Sequence, residues 1–195
     1  MTRWVQHGFH HKHFMSLHGD AHTRLYVGDG ATAHARVEET WPALRGAGLL
    51  GFPHIRAPML DLRGRCALAA ALEPTDTRPR LIGSAIAAAR RLEKERRHWA
   101  TPMAQLLRGQ VAALRQERTG AEDHLRAALS GFEAAEMALY AAAAGWRLGE
   151  VMGGDAGQEL AAASETWLRG QGVRRPDRLV AMVAPVAGGA ISAHA

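Results

Sequence analysis

Apolar residues recur along this chain at three- and four-residue steps and are cut at intervals by glycine, proline or acidic clusters, a pattern that predicts helices rather than strands. The stretch from Trp4 to Val27 is interrupted only by Gly8 and Gly19 and stops at Gly28-Asp29-Gly30, a turn composition. Val37, Trp41 and Leu44 then fall at i, i+4 and i+7, with Arg36, Glu38 and Glu39 opposite, so a second helix buries one face until Gly46 and Gly48 end it. Pro53 opens a third helix over His54 to Leu72, Glu73-Pro74-Thr75-Asp76-Thr77 closes it, and Pro79 suits the first turn of a fourth that runs to about His98. Leu107, Val111 and Leu114 mark a fifth helix, and Thr119-Gly120 predicts the turn into a sixth that carries Leu125, Leu129 and Phe132. Leu139, Ala143 and Trp146 line a seventh. Gly153-Gly154-Asp155 breaks it, with Asp155 as the N-cap of an eighth whose Leu160, Ala163 and Trp167 face inward. A short helix from about Pro176 to Val183 precedes Pro185 and a tail of small residues that reads as disordered.

The predicted turns near residues 29, 76, 120 and 154 have the spacing of stacked helical hairpins. The expected fold is therefore all-α: an α-solenoid of about four antiparallel helix pairs, tetratricopeptide-like, over residues 3–46, 52–98, 99–135 and 137–170, plus a short C-terminal helix. One domain spans 1–184, followed by the tail 185–195. Gly30 to Arg36 and Gly120 to Arg126 agree at four positions, and Gly109, Ala121, Leu125 and Ala128 approximate the small-and-large spacing of a tetratricopeptide unit. With 195 residues, 47% of them hydrophobic and only 6% aromatic, the chain suits one close-packed helical core better than a sandwich or barrel.

Charge tempts toward nucleic acid, since the formal net charge is +5. The densest basic run, Arg90 to His98, interleaves Glu93 and Glu95, so Arg91 with Glu95 and Glu93 with Arg97 are spaced as i,i+4 pairs on one solvated helix face. No aromatics alternate with the arginines as a single-strand groove requires, and nucleic acid is not expected as a partner. The single cysteine, Cys66, lies among Leu62, Ala67 and Leu68, which predicts a buried structural thiol, no internal disulfide and a reducing, cytoplasmic setting. No apolar stretch approaches the length of a membrane span, so no membrane association is expected.

Six of the 11 histidines precede residue 23. His7 with His11, and His18 with His22, have the i,i+4 spacing that lets two imidazoles reach one metal. A zincin helix needs glutamate after the first histidine, and Gly19 stands there instead, so no metal or other cofactor is assigned. Gly28 to Ala33 fits a relaxed dinucleotide-binding pattern without the strand or distal acid that the pattern needs, and Gly153, Gly154 and Gly157 lack the Lys-Ser or Lys-Thr of a phosphate loop.

The block Phe132 to Ala143, then Arg147-Leu148-Gly149-Glu150, Gly153-Gly154-Asp155, and Trp167 through Pro176, resembles the C-terminal helical region of large bacterial multidomain serine/threonine protein kinases, in which an ATPase module separates the kinase from tetratricopeptide-like repeats. Arg36 to Leu44 and Leu62 to Ala69 look like earlier units of the same region. The resemblance implies a regulatory or sensory piece, either free-standing or cut from a longer kinase. The glycine-rich loop, strand lysine, HRD-type loop and DFG-type metal site of the family do not occur here, so no phosphotransfer is assigned to this chain.

The expectation is a non-catalytic helical-repeat module that offers a groove to a protein or peptide, with kinase or ATPase modules as candidate partners by resemblance. Trp4, Tyr26 and Trp41, at the open end, are the residues expected to line it, with a core role for Trp41 expected ahead of contact. The alternatives are a metal-binding protein or enzyme using the N-terminal histidines, and a helical nucleic-acid-binding protein.

Overall fold

In a computed structural model, residues 10–186 are described, and they form nine α-helices and one short 3-10 turn, with no strand among them. The helices are α1 (His11–Val27), α2 (Gly30–Gly46), α3 (Pro53–Ala70), α4 (Arg78–Lys94), α5 (Ala100–Leu114), α6 (Arg118–Ala134), α7 (Ala138–Met152), α8 (Gly154–Gly170) and α9 (Pro176–Val183). Each of the first eight packs on the next in chain order, which is the stacking of an α-solenoid, and α1 also touches α3 as α3 touches α5. The sequence expectation of four helix pairs and a short ninth helix holds. The expected start at Trp4 lies outside the described residues, and α1 begins at His11 with His10 as its extended N-cap. Of the tail 185–195 expected to be disordered, Pro185 is buried and Val186 packs on the core, and the rest lies outside the described residues.

The odd-numbered helices form the inner row. α3 and α5 bury residues all round their circumference, among them Met59, Leu60, Leu62, Leu68, Leu106 and Leu107. The even-numbered helices form the outer row and bury one stripe each, such as Ala33, Val37, Trp41 and Leu44 on α2. Glycine sets how closely the rows approach: a Cβ on Gly109 of α5 would lie 2.7 Å from Leu125 of α6, which makes that predicted small-and-large pair a true packing contact.

Four local expectations are corrected. The third turn is Arg115–Glu117, not Thr119-Gly120, which lie inside α6. Gln116 sits there at φ 61 and Glu136 closes α6 at φ 57, both in the left-handed cap position that Gly28 takes after α1 at φ 88. In all three, the next amide bonds back to the carbonyl five residues earlier: Glu117 to Ala112 at 2.9 Å, Met137 to Phe132 at 2.9 Å and Asp29 to Arg24 at 2.9 Å. A cap without glycine carries no compositional signal, which is why the turn was misplaced. Gly153, not Asp155, caps α8, and Asp155 lies in its first turn, where a carboxylate still favours the positive helix end. α3 stops at Ala70 rather than Leu72, and α4 at Lys94 rather than His98.

The basic run at the end of α4 is the fourth correction. Because the helix ends at Lys94 and Arg96 turns to φ 50, the predicted Glu93–Arg97 pair cannot form on one face. Both acids reach other helices instead. Glu93 takes a two-pronged bond from Arg108 of α5 at 2.6 and 2.9 Å, and Glu95 one from Arg56 of α3 at 2.6 and 2.7 Å.

Candidate functional site

Two surfaces carry most of the unusual chemistry, one on the outer row and one on the inner. The outer one is a cavity of about 390 Å³ between α6, α7 and α8. Leu129, Met137, Ala141, Leu160, Ala163 and Trp167 make its walls, and Glu133 and Glu136 stand on its rim. No lysine or arginine lines it, in a chain whose net charge is +5. Trp167 is 37% exposed there and Leu139, beside Ala138 of the lining, 36%.

This arrangement overturns the expected orientation of α8. Its buried positions are Gly157, Ser164 and Leu168, while Ala163 and Trp167 are exposed and Leu160 is half-buried. The reason is the α7–α8 crossing: a Cβ on Gly149 would lie 2.8 Å from the Ala161 amide nitrogen, and one on Gly145 would lie 2.8 Å from Ser164 Oγ. Only small residues fit between backbones this close, so the stripe of glycine, alanine and serine becomes the packing face. The larger Leu160 and Trp167 are turned toward the cavity. The same crossing leaves Leu139 exposed on α7, against expectation, with Ala143 buried and Trp146 half-buried.

The inner surface centres on α3. Asp61 and Arg65, one turn apart, are both about 1% exposed and form an ion pair at 2.8 Å. Burial pushes the Asp61 carboxyl up, partly opposed by the guanidinium beside it. Burial would lower Arg65, and the charge of Asp61, together with Tyr140, Cys66 and the Asp61 hydrogen bond, outweighs it, so the arginine is held charged. Asp61 Oδ1 is buried and has no hydrogen-bond partner among the described residues. Arg65 Nη2 also donates to His22 Nε2 at 3.2 Å, while His22 Nδ1 donates to the His18 carbonyl at 2.8 Å. Burial, then the charge of Arg65, lowers the His22 imidazole to about 4, so the ring is neutral at physiological pH. On α7, Arg147 is 6% exposed and pairs with Glu150 at 2.7 Å.

The residues singled out in the sequence fall differently. Trp41, a candidate for partner contact whose core role is the stronger expectation, is 3% exposed with Arg63 stacked over its ring at 4.4 Å, and is core. Its place in the i, i+4, i+7 stripe of α2 is the physical reason. Tyr26 is half-buried on α1, and Trp4 lies outside the described residues. Of the histidines, His7 lies outside the described residues, and His11 is exposed at the start of α1 with its ring on Phe14. His18 and His22 do meet, with ring centroids 4.3 Å apart. Both nitrogens of His22 are engaged and a guanidinium faces the ring, which repels a cation, and no metal-holding group of three or more ligating residues occurs among the described residues. Cys66 is buried as expected, and burial pushes its thiol up to about 12, far from a reactive thiolate.

Sequence reasoning missed the Asp61–Arg65–His22 cluster. An aspartate and an arginine four apart read as an ordinary surface pair, and the only hint was their position among Leu60, Leu62, Cys66 and Leu68. The fold and these sites define an α-solenoid of helical-repeat type. No family model, curated protein or solved structure matches the chain. No described helix is long and apolar enough to cross a membrane.

Proposed function

We propose that this chain is a non-catalytic helical-repeat module that binds a protein segment in the α6–α8 cavity. One observation carries the reading: an apolar cavity with an exposed tryptophan at its mouth and a purely acidic rim, on a chain that is otherwise basic. An apolar anchor surrounds itself there with carbon, and the carboxylates of Glu133 and Glu136 attract positive charge beside it. The occupant is accordingly an apolar side chain or helix face flanked by lysine or arginine. The kinase resemblance offers kinase or ATPase modules as the source of such a segment, in which case the chain is their regulatory partner.

The test is site-specific crosslinking. A photoreactive side chain at Ala163 in the cavity, and another at exposed Ser130 on the flank of α6, are irradiated in lysate of the cell that makes the protein. The reading expects an adduct from residue 163 only, on a segment whose apolar residues are flanked by Lys or Arg, and its loss in the double variant Glu133→Lys, Glu136→Lys. Adducts that are the same from both positions, that fall on acidic segments, or that survive the charge reversal overturn it.

A further inference from the structure

α9 does not continue the solenoid. It is eight residues long, too short to persist as an isolated helix, and it lies across α1, α7 and α8, joining the first helix of the array to the last pair. Pro176, Val180 and Val183 are its buried residues. The end of a helix leaves carbonyls without partners and a partial negative charge. Pro185, with no N–H and a fixed φ, prevents the chain from continuing as helix to cover them.

Two buried arginines fill that gap. Arg65 Nη1 donates to the Met182 carbonyl at 3.0 Å, and Arg147 Nε donates to the Ala184 carbonyl at 2.8 Å. Each guanidinium also has a partner outside α9. Asp61 and His22 hold the first from α3 and α1, and Glu150 holds the second from α7. What α9 supplies in return is the buried Pro176, Val180 and Val183, the partly buried Leu179 and Met182, and the main-chain carbonyls of Met182 and Ala184 at its end.

We infer that the inner channel between α1, α3 and α7 is a binding site for the C-terminal end of a short apolar helix, read through its last carbonyls by Arg65 and Arg147, and that α9 is the occupant supplied in cis. A partner helix with the apolar pattern of α9, valine-sized residues at i and i+3 with a larger apolar residue just before each, and ended by proline, takes the same seat when α9 leaves it. The inference concerns a different surface from the α6–α8 cavity and stands or falls apart from it.

The experiment keeps the full chain. A protease site is placed in the α8–α9 linker after Gly172, the folded protein is cut, and a fluorescent synthetic peptide of residues 174–186 is titrated in. Saturable binding to the cut protein with release of the unlabelled α9 segment is expected. Binding to the uncut chain should be at least about a hundredfold weaker, because a tethered competitor acts at an effective concentration near millimolar. Arg147→Met should weaken peptide binding to the cut protein about tenfold or more, the usual effect of losing a charge-assisted bond. A peptide of the same composition in scrambled order should not bind. As a second route, Val180→Asp in the uncut chain, with its helical content verified by circular dichroism, should take up the peptide once its own α9 is dislodged. Failure of the peptide to bind either protein, equal binding of the scrambled peptide, or indifference to Arg147→Met overturns the inference.

Discussion

The inner channel and the outer cavity invert the usual placement of polar and apolar groups. Inside, beneath α9, lie an aspartate, two arginines and a histidine joined by hydrogen bonds to one another and to main-chain carbonyls, with Asp61 Oδ1 left without a partner among the described residues. Outside, between α6 and α8, lie leucine, methionine and tryptophan open to solvent. The contrast separates two kinds of surface. A polar surface that the chain has already satisfied with its own carbonyls is closed and specific, because removing any one member strands the others. An apolar surface left uncovered is tolerant of what fills it, and its specificity has to come from its rim.

The sharpest way to break the contrast is Arg65→Met. It leaves Asp61 as a buried, unpaired acid and releases the Met182 carbonyl, so a loss of about 3 to 5 kcal/mol is expected in urea unfolding. The double variant Asp61→Asn, Arg65→Met should recover much of that loss, since no unpaired charge then remains. A single-variant loss under about 1 kcal/mol would mean that the inner network carries little of the fold.

Gly149→Ala comes next. Its new methyl group meets backbone of α8 at Ala161, which cannot swing aside, so about 1 to 3 kcal/mol should be lost. The α7–α8 wall of the cavity should open with it, seen as a shift in Trp167 fluorescence. Gly19→Ala on exposed α1, where nothing lies within 4 Å of the new atom, should instead gain about 1 kcal/mol.

Mild acid should probe the inner face most strongly. His22 is held near 4 in the folded chain against 6.5 unfolded, so as pH falls the unfolded chain takes up the proton first. The stabilising effect of the neutral ring is complete above pH 6.5 and declines between 6.5 and about 4. The urea midpoint should fall over that window, and His22→Gln should flatten the fall. His18 and His34, also lowered chiefly by burial, leave a residual slope of the same sign. The smallest effect belongs to the outer cavity: Trp167→Ser should change stability by about 0.5 kcal/mol or less, as a surface change does, while abolishing the Ala163 crosslink. A loss as large as that of Arg65→Met would make Trp167 a core residue and the cavity a packing defect.

Helix number, pairing and most boundaries were legible because amphipathic stripes such as Val37, Trp41 and Leu44 repeat and glycine or proline punctuates them. The orientation of α8 was not. Hydrophobicity favours Leu160 and Trp167 as the buried face, whereas the close crossing selects Gly157 and Ser164 by size, and size matters only once the partner backbone is known to be near. The third turn was lost for a related reason, since Gln116 takes a left-handed cap with no glycine to mark it. The inner network was the least legible part, because it joins residues from α1, α3 and α9 that no local pattern links.

The span of that network bears on the order of folding. Pairings between successive helices are local and form quickly, whereas the bond from Arg65 to Met182 closes over 117 residues and waits for the array beneath it. A late latching step is therefore expected, in which the array pairs first and α9 settles onto it afterwards.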